Sequence, residues 1–221
     1  MAVKKQAVQA VQTVQAPGGR QAAYSARNRA RLIKDAQIVL AEIGPSATIE
    51  QIAAHAEVSP TTIYKYFENK DQLFFEALGE VWIGFLIWAN QLKAPGDRLE
   101  RTLDSGRKVF YARKTHPLFA EMLHNCLVEM PDLLSLADRG EGKQVFKEIA
   151  ASGELKADDF EKRYLLWLNI YTGILKSIFV TEELSPAEAD VAYGIGLSVW
   201  GISEAKAKKL TSRPLEFAPV E

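Results

Sequence analysis

The residues that could catalyse a reaction or bind a metal are few and poorly placed for either. None of the three histidines, His55, His116 and His124, pairs with another at the i, i+4 spacing that puts two metal ligands on one helix face. The single cysteine, Cys126, follows His124 by two residues, which is not a recognised nucleophile–base arrangement. Acidic residues fall mostly at predicted helix starts or on solvated faces. We therefore expect no catalytic residue, no metal site and no cofactor, and we predict that the protein is not an enzyme.

The positive charge of the chain is concentrated at its amino-terminal end. The whole chain is nearly neutral, with 27 Lys and Arg against 28 Asp and Glu. Residues 1–34, however, contain no acidic residue. This asymmetry is typical of a surface that contacts a polyanion, and a solvated basic tail is the alternative interpretation. The basic residues of this stretch are Lys4, Lys5, Arg20, Arg27, Arg29, Arg31 and Lys34.

Helical signals extend over most of the chain beyond this point. Many predicted helices start with a Ser, Thr, Asp or Asn that is followed three residues later by Glu or Gln, a capping box that satisfies free amides of the first turn. The capping pairs are Thr48/Gln51, Asn69/Gln72, Asp97/Glu100, Asp158/Glu161 and Ser185/Glu188. With the apolar periodicity they predict an all-α fold of about nine helices without strands. The predicted helices span residues 26–43, 48–55, 59–66, 70–92, 97–115, 117–128, 131–152, 158–181 and 186–209.

Two of these helices, 48–55 and 59–66, are short and lie close together in the sequence. Residues 56–58 form the turn between them, Ser59 caps the second helix and Pro60 occupies its first position. This spacing predicts a helix-turn-helix, whose second helix enters the major groove of DNA. A plain helical packing unit has the same spacing, so the pattern alone leaves both interpretations open. The apolar positions that would hold the pair against the first helix are Ile49, Ile52, Ala53, Val58, Ile63 and Phe67.

The residues of this hairpin resemble the DNA-binding segment of the tetracycline-repressor (TetR) family. The resemblance rests on Ile-Tyr-Lys-Tyr-Phe at 63–67, followed by Asn-Lys-Asp-Gln-Leu at 69–73, and it extends over residues 27–78. It implies a one-component transcriptional regulator that binds operator DNA as a homodimer. Glu57 and Thr61 depart from the commonest pattern, which has glycine at both positions.

The resemblance and the chemistry of the side chains together assign candidate roles on DNA. Thr48 and Ser59 lie at helix N-termini that can receive a phosphate, and Thr61 and Thr62 lie on the first turn that reaches base edges. By resemblance, Tyr64, Tyr66 and Lys70 contact phosphates, and Lys65 contacts phosphate or base. The predicted DNA-binding set is Arg27, Thr48, Ser59, Pro60, Thr61, Thr62, Tyr64, Lys65, Tyr66 and Lys70.

The first basic residues are a second candidate contact with DNA. The candidates for binding the flanking DNA backbone or the minor groove are Arg20, Arg27, Arg29 and Arg31. Within the hairpin, Lys65 and Lys70 are outnumbered by acidic residues. We therefore expect DNA affinity to depend heavily on the amino-terminal arm and on dimerisation.

These observations predict four segments along the chain. Residues 1–22 form a disordered basic arm, and residues 23–69 form the helix-turn-helix domain. Residues 70–211 form a ligand-binding and dimerisation domain, and residues 212–221, with Pro214 and Pro219, form a flexible tail.

The last two long helices are the predicted dimer interface. Residues 164–180 are apolar around nearly the whole helix, and residues 194, 198 and 201 are small, which allows close helix approach. A glycine-rich phosphate loop is the disfavoured alternative, since no strand and no third glycine accompany Gly194 and Gly196. The predicted interface residues are Leu168, Tyr171, Leu175, Ile178, Gly194, Leu197, Ser198 and Gly201.

An excess of aromatic side chains in the middle of the chain suggests a cavity for a moderately hydrophobic effector. Ordinary core packing is the competing explanation for each of these residues alone. The candidate apolar lining is Trp82, Phe85, Trp88, Phe110, Phe119, Met122 and Trp167. The candidate polar groups are Arg107, Tyr111, His124, Asn125 and Asn169.

The resulting hypothesis is a ligand-responsive repressor that a small effector releases from a palindromic operator. A DNA-binding protein that is controlled without any ligand is the alternative function. The uncharged helical stretches, of which residues 191–203 are the longest, are too short for a membrane span, which needs about 20 apolar residues. We therefore expect a cytoplasmic protein that associates with the nucleoid through its operator and has no membrane partner.

Overall fold

A computed structural model describes residues 18–92, 96–129 and 141–220 of the chain. Within these ranges the regular secondary structure is helical and no strand occurs, which confirms the predicted all-α fold. The helices are α1 (Gly18–Ile43), α2 (Ile49–His55), α3 (Pro60–Ile63), α4 (Lys70–Ala89), α5 (Arg98–Lys108), α6 (Ala112–Thr115), α7 (Pro117–Cys126), α8 (Glu141–Ala151), α9 (Phe160–Phe179), α10 (Pro186–Gly196) and α11 (Glu204–Thr211).

Most of the predicted helix starts are formed by the expected caps. Complete capping boxes occur at Thr48, Asp97 and Ser185. At Asn69 only half of the box forms, because the side chain of Gln72 accepts from the amide of Glu68 instead. The box predicted at Asp158 and Glu161 is wrong: Asp159 precedes α9 in a left-handed conformation without a side-chain cap. The Asp158 carboxylate instead accepts a hydrogen bond from Arg163 Nη2 at 2.7 Å.

The amino-terminal helix is longer than predicted. α1 begins at Gly18 and not near residue 26, so residues 18–22 belong to this helix and not to a disordered arm. The rest of the predicted arm, residues 1–17, lies outside the described residues, as do the first ten residues of the helix predicted at 131–152.

Two predicted helices are interrupted. The segment predicted as one helix over 97–115 contains a 3₁₀ turn at Val109–Tyr111, between α5 and α6. The segment predicted over 186–209 is divided between α10 and α11 by a second 3₁₀ turn, Leu197–Trp200, and by Gly201. Gly201 has a φ of 76°, which L side chains rarely adopt, so the helix ends there.

The first three helices form a small unit around one apolar core. Leu32 and Leu40 of α1, Ile52 of α2 and Ile63 of α3 are all nearly inaccessible to solvent, with Phe67 packed beneath them. α1 also packs along α4 and α7. The Asn125 side chain on α7 donates to the carbonyl of Ala41 at 2.6 Å, which adds a polar link between the two halves of the chain.

An ion-pair network is buried among α5, α10 and the segment after α11. The Arg107 guanidinium is 3% exposed and donates to Asp190 Oδ1 at 2.8 Å and Asp190 Oδ2 at 3.0 Å. It also donates to Asp104 Oδ1 at 3.1 Å, and Tyr111 donates to Asp190. Burial by itself lowers the pKa of Arg107, but the hydrogen bonds and charges of Asp190 and Asp104 raise it overall. The guanidinium therefore stays charged and paired inside the protein.

The segment after α11, residues 212–219, packs against the protein as a C-terminal strap. Trp88 Nε1 donates to the carbonyls of Ala218 at 3.3 Å and Pro219 at 3.1 Å. The Phe217 ring contacts Tyr111, and Arg107 donates to the carbonyl of Arg213. The prediction of a flexible tail is wrong for these residues, because proline content does not reveal the contacts that hold the segment in place.

One described helix, Lys70–Ala89, is long and apolar enough to cross a membrane by length and composition alone. Half of its most apolar stretch is buried inside the protein. Core helices of soluble proteins pass the same test, so this is weak evidence for a span.

The buried network makes Arg107 a sensitive position for stability. We expect Arg107→Met to lower the free energy of unfolding by about 3–5 kcal/mol, because it leaves the carboxylates of Asp190 and Asp104 buried and less well paired. Urea unfolding at neutral pH measures the difference. Arg98→Met is the matched control, because its pair with Glu148 is exposed and its loss is expected to change stability little. Equal losses in the two variants would contradict the assigned role of the network.

Candidate nucleic-acid interface and ligand cavity

The turn between α2 and α3 has the geometry of a helix-turn-helix. Glu57, in the middle of this turn, has a φ of 54°, the left-handed conformation that favours glycine. Ser59 Oγ then accepts from the amide of Thr62 at 3.3 Å, and Pro60 occupies the first turn of α3. α3 ends at Ile63, earlier than the predicted residue 66. Hydrogen-bonded turns continue to Phe67, whose amide donates to the carbonyl of Ile63.

The outer side of this unit presents most of the predicted DNA-binding residues. Ser59, Thr61 and Lys65 are exposed, and Tyr64 is 53% exposed. Pro60 and Thr62 are half-buried. Thr48 is exposed at the start of α2, where its hydroxyl accepts from the amide of Gln51 at 3.2 Å. The Thr48 hydroxyl keeps a hydrogen that can be donated to a phosphate, whereas the Ser59 hydroxyl also lies 3.0 Å from the hydroxyl oxygen of Thr62.

Tyr66 differs from Tyr64 in its surroundings. It is half-buried, and its hydroxyl accepts from Asn28 Nδ2 at 3.2 Å. This bond connects α1 to the turn that follows α3. Tyr66 thus fixes the recognition unit against α1, and the more exposed Tyr64 is the better candidate for a phosphate contact.

Lys70 also has a structural role that the sequence did not reveal. Its ammonium donates to the carbonyls of Pro45 and Ala47, each at 3.1 Å, and lies 5.0 Å from the centre of the Phe74 ring. Two of its three N–H groups therefore hold the loop between α1 and α2. Only the third remains for the predicted phosphate contact.

The arginines of α1 divide between its two sides. Arg29 binds Glu76 and lies 4.7 Å over the Phe67 ring, so it packs against the domain and is a poor candidate for DNA contact. Arg20, Arg27 and Arg31 are exposed. The sequence could not separate these residues, because only the helix register decides which of them faces the core.

A cavity of about 420 Å³ lies among α4, α5, α8 and α9. Of the residues predicted to line a cavity, Trp82 and Trp167 do so. Phe85, Phe110, Phe119 and Met122 are buried in the core, and Trp88 binds the C-terminal strap. The lining residues are Trp82, Ile83, Leu86, Ile87, Asn90, Thr102, Ser105, Gly106, Val109, Glu141, Gly142, Val145, Phe146, Tyr164, Trp167, Leu168, Tyr171 and Tyr193.

The polar groups predicted for the cavity are engaged elsewhere. Arg107 and Tyr111 belong to the buried network, and Asn125 binds the carbonyl of Ala41. His124 Nδ1 lies within hydrogen-bond distance of the carbonyl of Phe179, and Asn169 is exposed and donates to the carbonyl of Leu165. The prediction that these polar residues line the cavity is therefore wrong. Residues adjacent in sequence face different sides of a helix, so closeness in sequence to a lining residue does not place a side chain in the cavity.

The polar groups that do line the cavity are neutral apart from Glu141. Ser105 Oγ donates to Asn90 Oδ1 at 2.8 Å, and Tyr171 donates to the carbonyl of Gly106 at 2.9 Å. Burial raises the pKa of Tyr171 and of Tyr193, so both remain neutral phenols. No lysine or arginine is among the described lining residues. The lining residues 164, 167, 168 and 171 of α9 are spaced so that they share one helix face. The same spacing places Asn169 on another face, so the sequence contained a signal that it does not line the cavity.

The predicted dimer interface is largely inside the chain's own core. Tyr171, Leu175, Ile178, Gly194 and Leu197 are buried, and they are not available to a second copy. Leu168 is half-buried beside the cavity, whereas Ser198 and Gly201 are exposed. The same helices expose a different apolar set, which the sequence pattern did not single out: Leu165, Leu166, Val191 and Ile195.

Comparisons with known proteins agree with this architecture. Residues 32–77 match the family model described as bacterial regulatory proteins, tetR family. A solved structure of RolR in complex with resorcinol superposes with a TM-score of 0.69 at 18% identity, over 90% of this chain and 100% of that one. RolR without ligand gives a TM-score of 0.65 at 19% identity, over 86% of this chain and 100% of that one.

A more distant structure shows the same fold. A TetR family transcription regulator from Marinobacter aquaeolei VT8 gives a TM-score of 0.54 at 18% identity, over 81% of this chain and 97% of that one. No curated protein matches the chain.

The two lysines of the unit are expected to behave differently when mutated. Lys65→Ala removes an exposed charge, so we expect the slope of log affinity for DNA against log salt to become shallower by about one per protomer, with unchanged thermal stability. Lys70→Ala removes two hydrogen bonds to the α1–α2 loop, so we expect it to lower the melting temperature. DNA titrations over a salt series, with thermal unfolding of both variants, test this difference. A Lys70 variant with unchanged melting temperature would contradict its structural role.

Proposed function

We propose that this chain, whose residues 32–77 match the family model of the tetR bacterial regulatory proteins, is a homodimeric repressor that binds a palindromic operator and is released by a small aromatic ligand. Members of this family regulate transcription and are not enzymes. The observation that carries the proposal is the helix-turn-helix, where a capped α3 exposes Thr61 and the turn that follows it exposes Tyr64 and Lys65. The protein would act in the cytoplasm, on the chromosome.

Each recognition unit would contribute base contacts from α3 and phosphate contacts around it. Thr61 and Thr62 lie on the first turn of α3, where a threonine methyl can meet a thymine methyl and the hydroxyl can bond either type of base. Ser59, Tyr64 and Lys65 surround them and can bind phosphate oxygens. Thr61 stands where glycine is common in the family, so its side chain supports an operator preference specific to this protein.

The proposed dimer interface is the exposed apolar face of α9 and α10. Ile195 is 71% exposed, Val191 63%, Leu165 62% and Leu166 54%. The two helices pack against each other through Gly196, where an added Cβ would come within 2.9 Å of Ile170. They therefore form one surface, and the same surface of a second copy would cover these side chains in a four-helix interface.

The cavity supports a neutral, planar ligand with hydroxyl groups. Its walls are largely aromatic. The hydroxyls of Thr102 and Ser105 donate within the protein, and their oxygens can still accept a hydrogen bond from a ligand hydroxyl. An anionic ligand would meet no lysine or arginine among the described lining residues and would face Glu141. RolR, which shares the fold, binds resorcinol, a small dihydroxybenzene. We therefore propose a phenolic or similarly small aromatic effector.

α4 provides the physical link between the cavity and the DNA-binding unit. Trp82, Ile83 and Leu86 on this helix line the cavity. At its other end, Lys70 holds the α1–α2 loop. A ligand that fits best when α4 is displaced would increase the population of the displaced conformation. In that conformation the distance between the two recognition helices of the dimer would no longer match the operator.

We expect the purified protein to be a dimer that selects a palindromic sequence from a random DNA library. Ile195→Asp places a charge in the proposed interface and should yield monomers with at least tenfold weaker operator affinity, measured by sedimentation velocity and DNA titration. Lys206→Asp, at an exposed position of α11, is the control and should change neither property. Failure of the wild-type protein to prefer any sequence would refute the proposed function.

The effector hypothesis predicts binding of simple dihydroxybenzenes in the cavity. We expect resorcinol or catechol to quench the fluorescence of Trp82 and Trp167 saturably and to weaken operator binding, whereas benzoate should do neither. Thr102→Val replaces a hydroxyl of the cavity lining by a methyl group of similar size and should weaken ligand binding while leaving operator affinity intact. An operator complex that responds to no member of an aromatic ligand panel would favour a regulator that is controlled without a small molecule.

A further inference from the structure

The amino-terminal part of α1 extends beyond the packed body of the protein. Residues 19–27 are all exposed, and the first buried residue of the helix is Leu32. Tertiary packing therefore does not explain the composition of this extension. Its side chains are free to serve an interaction with another molecule.

The exposed side chains of α1 include a regular basic stripe. Its members recur at intervals of four, three, four and three residues, so with 3.6 residues per turn they fall within an arc of about 80°. With a rise of 1.5 Å per residue the stripe is about 21 Å long. The stripe consists of Arg20, Tyr24, Arg27, Arg31 and Lys34, all of them exposed.

The charges of this stripe are not used within the protein. No ion pair joins Arg20, Arg27, Arg31 or Lys34 to an acidic group in the part of the chain that the structure describes. Residues 18–34 contain no acidic residue. Arg29, on another side of the same helix, is by contrast paired with Glu76. Helix stability does not account for the stripe either, since a positive charge in a first turn opposes the helix dipole.

The stripe is connected to the recognition unit. Asn28 follows Arg27 directly and donates to the Tyr66 hydroxyl at 3.2 Å, just beyond α3. From that point α1 continues for about 12 Å to Arg20. The stripe therefore passes the turn that follows α3, with Arg31 and Lys34 on one side of Asn28 along α1 and Arg27, Tyr24 and Arg20 on the other.

We propose that the basic stripe of α1 binds the phosphate backbone of the DNA that flanks each operator half-site, a proposal that rests on the DNA-binding function above. Guanidinium groups bind phosphate through paired N–H donors, and the Tyr24 hydroxyl adds a further donor. These contacts do not read bases, so the stripe raises affinity and salt dependence without changing sequence preference.

The composition of the extension favours DNA over a membrane surface. A helix that lies in a membrane interface needs a large apolar face opposite its charges. Apart from Tyr24, the only apolar side chains in residues 18–31 are alanines. The uncharged polar residues Gln21, Ser25 and Asn28 lie between them. This helix face is too weakly apolar to insert between lipids.

The test compares salt dependence in charge variants of the full chain. Arg20, Arg27 and Arg31 are changed together to Gln, and the affinity for an operator duplex selected by the wild-type protein is measured over a KCl series. We expect the salt slope to become shallower by up to about three per protomer, which is about one for each phosphate that the variant no longer binds. Affinity for operator and for random duplex should fall by the same factor, and circular dichroism and thermal unfolding should not change.

Two controls isolate the position of the charge. Replacing Lys147, Lys206 and Lys209 by Gln removes the same charge from exposed sites on α8 and α11 and should leave the slope unchanged. Replacing Arg20, Arg27 and Arg31 by Lys keeps the charge and should retain most of the slope.

Three results would overturn the inference about the stripe. The first is an unchanged salt slope for DNA binding when Arg20, Arg27 and Arg31 are replaced by Gln. The second is an equal change of slope when Lys147, Lys206 and Lys209 are replaced by Gln. The third is a Gln variant of the stripe that no longer binds phosphatidylserine vesicles but keeps the salt slope for DNA. A wild-type protein that selects no sequence would instead refute the proposed function itself. A variant with Thr61 and Thr62 replaced by Ala distinguishes the two surfaces, because it should lose sequence preference and keep the salt slope.

Discussion

α4 is held near both ends by side chains that donate hydrogen bonds to backbone carbonyls outside the helix. Lys70 binds the carbonyls of Pro45 and Ala47 in the loop before the helix-turn-helix, and Trp88 binds those of Ala218 and Pro219 in the C-terminal strap. Between these points the helix packs against α1 and contributes a wall of the cavity. Any movement of α4 must therefore change the cavity, the strap and the DNA-binding unit together.

Buried charge adds specificity to this arrangement at a cost in desolvation. Arg107 is enclosed by Asp104 and Asp190 and also donates to the carbonyl of Arg213 in the strap. A buried guanidinium has few arrangements that satisfy its donors, so the network fixes how α5, α10 and the strap meet. The cavity wall on α5 includes Ser105 and Gly106, which directly precede Arg107 in the sequence. The network thus also supports the cavity.

The chain contacts its proposed partners through surfaces of different character. The α3 surface carries threonine, tyrosine and lysine side chains suited to bases and phosphates, whereas the stripe on α1 carries charge without base-reading groups. The exposed face of α9 and α10 is apolar and suits a second copy of the chain. The cavity is largely aromatic and neutral. These surfaces are separate in position, and the hydrogen bonds of Lys70 and Trp88 on α4 connect the cavity to the DNA-binding unit and to the strap.

The sequence by itself determined the helical class, three complete capping boxes and the turn of the helix-turn-helix, because these depend on interactions between residues a few positions apart. Short-range patterns at residues 63–73 also gave the resemblance to the tetR family, whose model matches residues 32–77. Only the tertiary structure decided that Lys70 holds a loop, that Trp82 and Trp167 line the cavity while Phe85 and Phe119 do not, and that Tyr171 and Leu175 are core and not interface. A helix that is apolar on several sides does not indicate which side meets its own chain, since that choice depends on packing between residues far apart in the sequence.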